Sequence, residues 1–90
     1  MEKIEDLRKK LDEIDEAMSG LFAKRMEICK KIAEYKYDNS LPIVNATREA
    51  EIAQKIRTNP DPIVRLYYGP VSDALLDASK KYQEVIIKNK

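Results

Sequence analysis

From Ile4 to Tyr35 the chain carries Ile4, Leu7, Leu11, Ile14, Met18, Leu21, Arg25, Ile28, Ile32 and Tyr35 at intervals that alternate strictly between three and four. That alternation is the heptad spacing of a helix packed lengthwise against other helices. A single cation, Arg25, interrupts nine apolar positions. A guanidinium in a core costs several kcal/mol unless it is paired, so an anionic neighbour or an anionic ligand has to face it. Two structural answers are open: an acid on another helix, or a side chain that snorkels out along the bundle.

Punctuation divides the chain into three helices. The first runs from about Ile4 to about Tyr37, passes through Ser19-Gly20, and ends at Asp38-Asn39-Ser40-Leu41-Pro42. At about 1.5 Å per residue it is roughly 50 Å long, more than the rest of the chain can cover. A short second helix starts after Pro42 with Asn45 or Thr47 as its cap, turns Ala46, Ala50, Ala53 and Ile56 inward, and stops at Asn59-Pro60. Asp61-Pro62 opens a third helix that reaches about Ile87, with a kink or interruption expected at Gly69-Pro70. The expected fold class is all-α, a single domain over 1–90. Three helices of such unequal length leave Ile4, Leu7, Leu11 and Ile14 in water, and a twofold dimer with paired long helices removes that exposure.

Composition narrows the chemistry. Seventeen Lys and Arg oppose sixteen Asp and Glu, a net charge of +1, so no global field favours nucleic acid or an acidic membrane. There is no long uncharged apolar run for a membrane span and no apolar stretch behind Met1-Glu2-Lys3, which leads us to expect a cytoplasmic protein. With no histidine, Cys–His and Ser–His–Asp machinery is impossible, and a metal site would rest on carboxylates. Cys29, the single cysteine, reads as a small buried apolar residue. The two glycines, Gly20 and Gly69, form no phosphate-binding loop.

The polar residues then fall into a pattern. Lys36 follows Arg25 by eleven residues, about 20° around the helix and three turns along it, so the two cations share a face. Arg8 precedes Arg25 by seventeen residues and lies about 100° away, out of reach within one subunit but available to a partner's pocket. Arg48 and Glu49 stand in the first turn of the short helix, and Ser79 and Gln83 are neighbours at i and i+4 on the third. Singly, each has an ordinary reading: a solvated helix start, a hydroxyl bonded to its own turn, an exposed charged face. Together they describe a pocket with several cations, one carboxylate, one amide and one hydroxyl, but no nucleophile. Arginine forks grip carboxylates bidentately, so such a pocket suits a small dianion held in a reactive shape while developing charge is stabilised.

Four segments carry a resemblance over nearly the whole chain: LRKKLDEID at 7–15, LFAKRMEICKKIAEYK at 21–36, LPIVNATRE at 41–49 and DASKKYQ at 77–83. In residue and spacing the chain resembles the all-α chorismate mutases. The resemblance implies an intertwined homodimer whose pockets each borrow one arginine, and the Claisen rearrangement of chorismate to prephenate in aromatic amino acid biosynthesis, with no cofactor and no metal. It implies that Arg8 grips a substrate carboxylate across the dimer, that Arg25 and Ser79 hold a carboxylate from within the bundle, and that Arg48 holds the other. Lys36 and Gln83 would donate to the ether oxygen, and Glu49 would accept from the ring hydroxyl. Asn45 stands where the family often has Asp; it serves as a helix cap and through its backbone. A pyruvate-releasing lyase acting on isochorismate has a similar scaffold, and a non-catalytic helical dimerisation module would treat the cations as structural. Both stay open at this level. No fused regulatory domain is expected.

Overall fold

The computed structural model describes residues 2–90, which form three helices in the order α1 (Ile4–Asp38), α2 (Ala46–Arg57) and α3 (Pro62–Lys88). The chain is elongated, 57 × 29 × 14 Å, with a radius of gyration of 16.6 Å. A compact domain of this length has a radius of about 12 Å, so the helices do not close around a core. Helix α3 packs against both α1 and α2, while α1 and α2 make no helix-to-helix contact of their own. A trough is left between them, floored by α3.

Capping residues set the boundaries. Asn45 accepts a hydrogen bond from the Arg48 backbone N–H at 3.0 Å and caps α2; Asp61 accepts from the Ile63 N–H at 2.9 Å and caps α3, with Pro62 in the first turn. The expected interruption at Gly69-Pro70 is absent: α3 continues through it. Proline there removes one N–H and frees the Leu66 carbonyl. Leu66 and Tyr67 are 71% and 67% exposed, so solvent reaches this turn and the helix tolerates the loss.

Packing corrects two further expectations. The α1 face against the rest of the chain is not the heptad seam but the next row round, with Cys29 and Ala33 buried and Arg25, Met26 and Lys36 half-buried. Small side chains at 29 and 33 let α3 approach closely. The seam itself lies open, from Ile32 at 41% to Tyr35 and Leu21 at 63% exposed. Arg25 therefore stands at the edge of the seam, where that row meets the α3 contact. On α2 the inward residues are Glu49, Ile52, Ala53 and Ile56, whereas Ala46 and Ala50 are exposed. The helix is rotated by about one position, which turns a carboxylate into the trough.

Among the described residues only Cys29 and Ala33 are buried apolar residues. Two small side chains are far too little apolar surface to offset the conformational entropy of ordering the chain. No helix among the described residues is long and apolar enough to cross a membrane.

Candidate active site

The trough between α1 and α2 holds a cavity of about 520 Å³, the size of a small-molecule site. Seven of the eight residues singled out from the sequence line it: Arg25, Lys36, Asn45, Arg48, Glu49, Ser79 and Gln83. Each helix contributes by its own periodicity. The interval from Arg25 to Lys36 keeps both on the α3-facing side of α1, the Asn45 cap places Arg48 and Glu49 at the mouth, and the i, i+4 pair Ser79–Gln83 is buried on the floor. Ile28, Ile32, Ile43, Ile52 and Leu76 supply apolar walls.

A continuous polar chain crosses the floor. Lys36 Nζ donates to the Ile43 carbonyl at 2.6 Å and to Gln83 Oε1 at 3.0 Å; Gln83 Nε2 donates to Ser79 Oγ at 3.0 Å; Ser79 Oγ lies 2.9 Å from Cys29 Sγ. Lys36 thereby uses two of its three N–H donors and keeps one, and Gln83 keeps one amide N–H. These partners fix the ammonium and the amide before any ligand arrives, and preorganised donors of this kind stabilise charge developing in a transition state.

Arg25 is half-buried and has no carboxylate within 4 Å among the described residues. Its Nη1 donates at 3.4 Å to the Leu75 carbonyl and lies 3.9 Å from Cys29 Sγ, both long contacts. Of the two structural answers, pairing with an acid is absent among the described residues. A half-buried cation without an acidic partner costs stability, so Arg25→Met, which keeps the stem and removes the charge, is expected to raise the Tm by a few degrees. A fall of about 8 °C or more in thermal unfolding would return Arg25 to a structural role.

Arg48 is exposed and only loosely engaged, 3.5 Å from Glu51 across one helical turn, an arrangement that holds an arginine weakly. Arg8 is exposed and does not line this cavity. Seventeen residues of helix put it about 25 Å from Arg25.

Beyond the apolar walls, two titratable side chains of the site were not singled out for it. Lys80 lines the cavity and pairs with Glu49 at 3.3 Å, and Cys29, read as an inert core residue, is buried yet has its thiol on the cavity wall. A signal for Lys80 exists in its spacing: it lies three before Gln83 and four after Leu76, so it shares their side of α3. No group of three or more Cys, Asp or Glu side chains among the described residues is gathered as a metal site requires.

Comparison with known proteins gives the family of the chain. The "Bifunctional chorismate mutase/prephenate dehydratase" of Aquifex aeolicus is 43% identical over 56 residues, 62% of this chain and 16% of that protein. The "Chorismate mutase" of Methanocaldococcus jannaschii is 40% identical over 57 residues, 63% of this chain and 58% of that protein. The "T-protein" of Haemophilus influenzae is 37% identical over 57 residues, 63% of this chain and 15% of that protein. The chain thus matches less than two thirds of the length of each of these relatives. No solved structure gives a significant match. The family described as chorismate mutase type II matches residues 7–84. That match takes in all of α2, most of α1 and α3 and every residue of the cavity, and the chain belongs to the chorismate mutase type II family.

Proposed function

We propose that this protein converts chorismate to prephenate, and that the cavity between α1 and α2 is where it does so. The observation that carries the reading is the gathering of Arg25, Lys36, Arg48, Glu49, Ser79 and Gln83 on one cavity of a chain in this family, where the Cys29 thiol and the Ser79 hydroxyl are bonded to each other and no histidine is present to activate either. A rearrangement within one molecule needs none: a carbon–oxygen bond breaks, a carbon–carbon bond forms, and no group leaves. Arg48 and Arg25, with Ser79, hold the two carboxylates, which selects the compact conformer in which the reacting carbons meet. The free N–H of Lys36 and that of Gln83 face the ether oxygen and oppose the negative charge that builds there. Glu49 accepts from the ring hydroxyl, and Asn45 holds the start of α2 in place.

The functional unit is a homodimer in which the open seam of α1 packs against a second copy and Arg8 of each chain completes the other's pocket. Support comes from the exposed row Ile4, Leu7, Leu11, Ile14, Met18 and Leu21, an apolar stripe along the half of α1 that the rest of its own chain leaves uncovered. A soluble, cytoplasmic dimer needing no cofactor is the form in which we expect it to act.

The test is incubation with chorismate and, separately, isochorismate, with products identified. Prephenate from chorismate is the expected result. Salicylate and pyruvate from isochorismate, without prephenate from chorismate, would replace the proposal with the lyase. No turnover of either, and no rise in Tm with chorismate, would leave a dimerisation module.

A further inference from the structure

Glu49 stands on the wall between two cavities. With Ile52 and Leu76 it lines both the large cavity described above and a neighbouring one of about 230 Å³ between α2 and α3, whose other residues include Arg57 and Arg65. On the smaller side Arg57 is engaged with Gln54 and Arg65 with the Asn59 carbonyl, and Asp73 adds a second carboxylate there. What distinguishes the sides is Lys80, which lines only the larger cavity and holds Glu49 Oε1 at 3.3 Å. Arg48, its chain neighbour, is turned instead toward Glu51.

The two side chains of the Lys80–Glu49 pair are part-buried, 34% and 31% exposed, and a single ion pair that solvent still reaches adds only modestly to folding. Its effect is one of direction: the contact ties α3 to the first turn of α2 and draws the carboxylate into the site. We infer that Lys80 is a positioning residue, which selects the cavity that Glu49 serves and thereby sets where the site accepts a hydroxyl hydrogen bond from its substrate. Lys80 also adds a fourth cation, beside Arg25, Lys36 and Arg48, to a site with one carboxylate, a balance that suits a dianion carrying a hydroxyl. This inference rests on the chorismate reading above.

The two ways of acting, through Glu49 or by charge alone, separate in a double-mutant cycle on chorismate turnover. Lys80→Met is expected to lower kcat/KM about tenfold in the otherwise native chain and less than about twofold in a Glu49→Gln background, where no carboxylate remains to be placed. Lys80→Arg, which keeps the ion pair, is expected to stay within about threefold of the native value. Equal losses in both backgrounds would show that Lys80 acts by its own charge and overturn the proposal; so would the absence of any loss in Lys80→Met. Failure of the native protein to make prephenate would instead sink the reading on which the inference rests, so the two failures are distinguishable.

Discussion

Lys36→Ala is expected to lower turnover of chorismate by roughly 10²- to 10³-fold while changing substrate affinity far less. The expectation follows from where its three donors go. Two are spent on Ile43 and Gln83, so the third is aimed by a fixed frame and needs no reorganisation as charge develops on the ether oxygen. A neutral ether is a poor acceptor and a developing enolate a good one, so the contact strengthens mainly in the transition state and its loss falls on kcat. Steady-state kinetics on a variant whose thermal unfolding is checked in parallel reads this out. Unchanged kcat would remove Lys36 from the chemistry; a matched loss of fold would assign it to holding the α1–α2 loop through Ile43.

Arg8→Ala and Arg48→Ala are each expected to reduce kcat/KM by about 10²-fold or more, since a charge-assisted hydrogen bond contributes about 1.5–3 kcal/mol and a bidentate grip has two. Neither change should cost much stability. Arg48 is exposed with one distant partner, and Arg8 is exposed on a part of α1 that its own chain does not cover. The two residues look unrelated within one chain, yet the proposal gives them the same task at opposite ends of one ligand. Kinetics on each purified variant, beside its unfolding curve, test the pair. Full activity in Arg8→Ala would confine the site to a single chain.

Much of this was legible in the sequence because helices convert spacing into position. The eleven-residue interval from Arg25 to Lys36, the cap at Asn45 and the Ser79–Gln83 pair all fix direction from local geometry alone, and the cavity contains all of them. What was not legible depended on how helices rotate against one another. Seam spacing marks an apolar stripe but not the neighbour it faces. Within one chain α3 takes the adjacent row, where Cys29 and Ala33 are small enough for close approach. The same kind of rotation put Glu49 and Ile52 inward on α2 in place of Ala46 and Ala50. Pro70 misled in the opposite sense: a residue that breaks helices in isolation is carried by a helix packed against two neighbours, in a turn open to solvent. Lys80 shares a side of α3 with Leu76 and Gln83 by spacing, but its partner Glu49 lies on another helix, which spacing along α3 does not reveal.

The central claim, a cavity that rearranges chorismate once a second copy lends it Arg8, is tested most directly by mixing Arg8→Ala and Arg48→Ala subunits under conditions of demonstrated exchange and measuring prephenate formation. In a random mixture about half the dimers are hybrids, and one of the two pockets in each hybrid carries both arginines. Activity is therefore expected to rise from near zero to about one quarter of the native value. No recovery in exchanged hybrids would contradict the account.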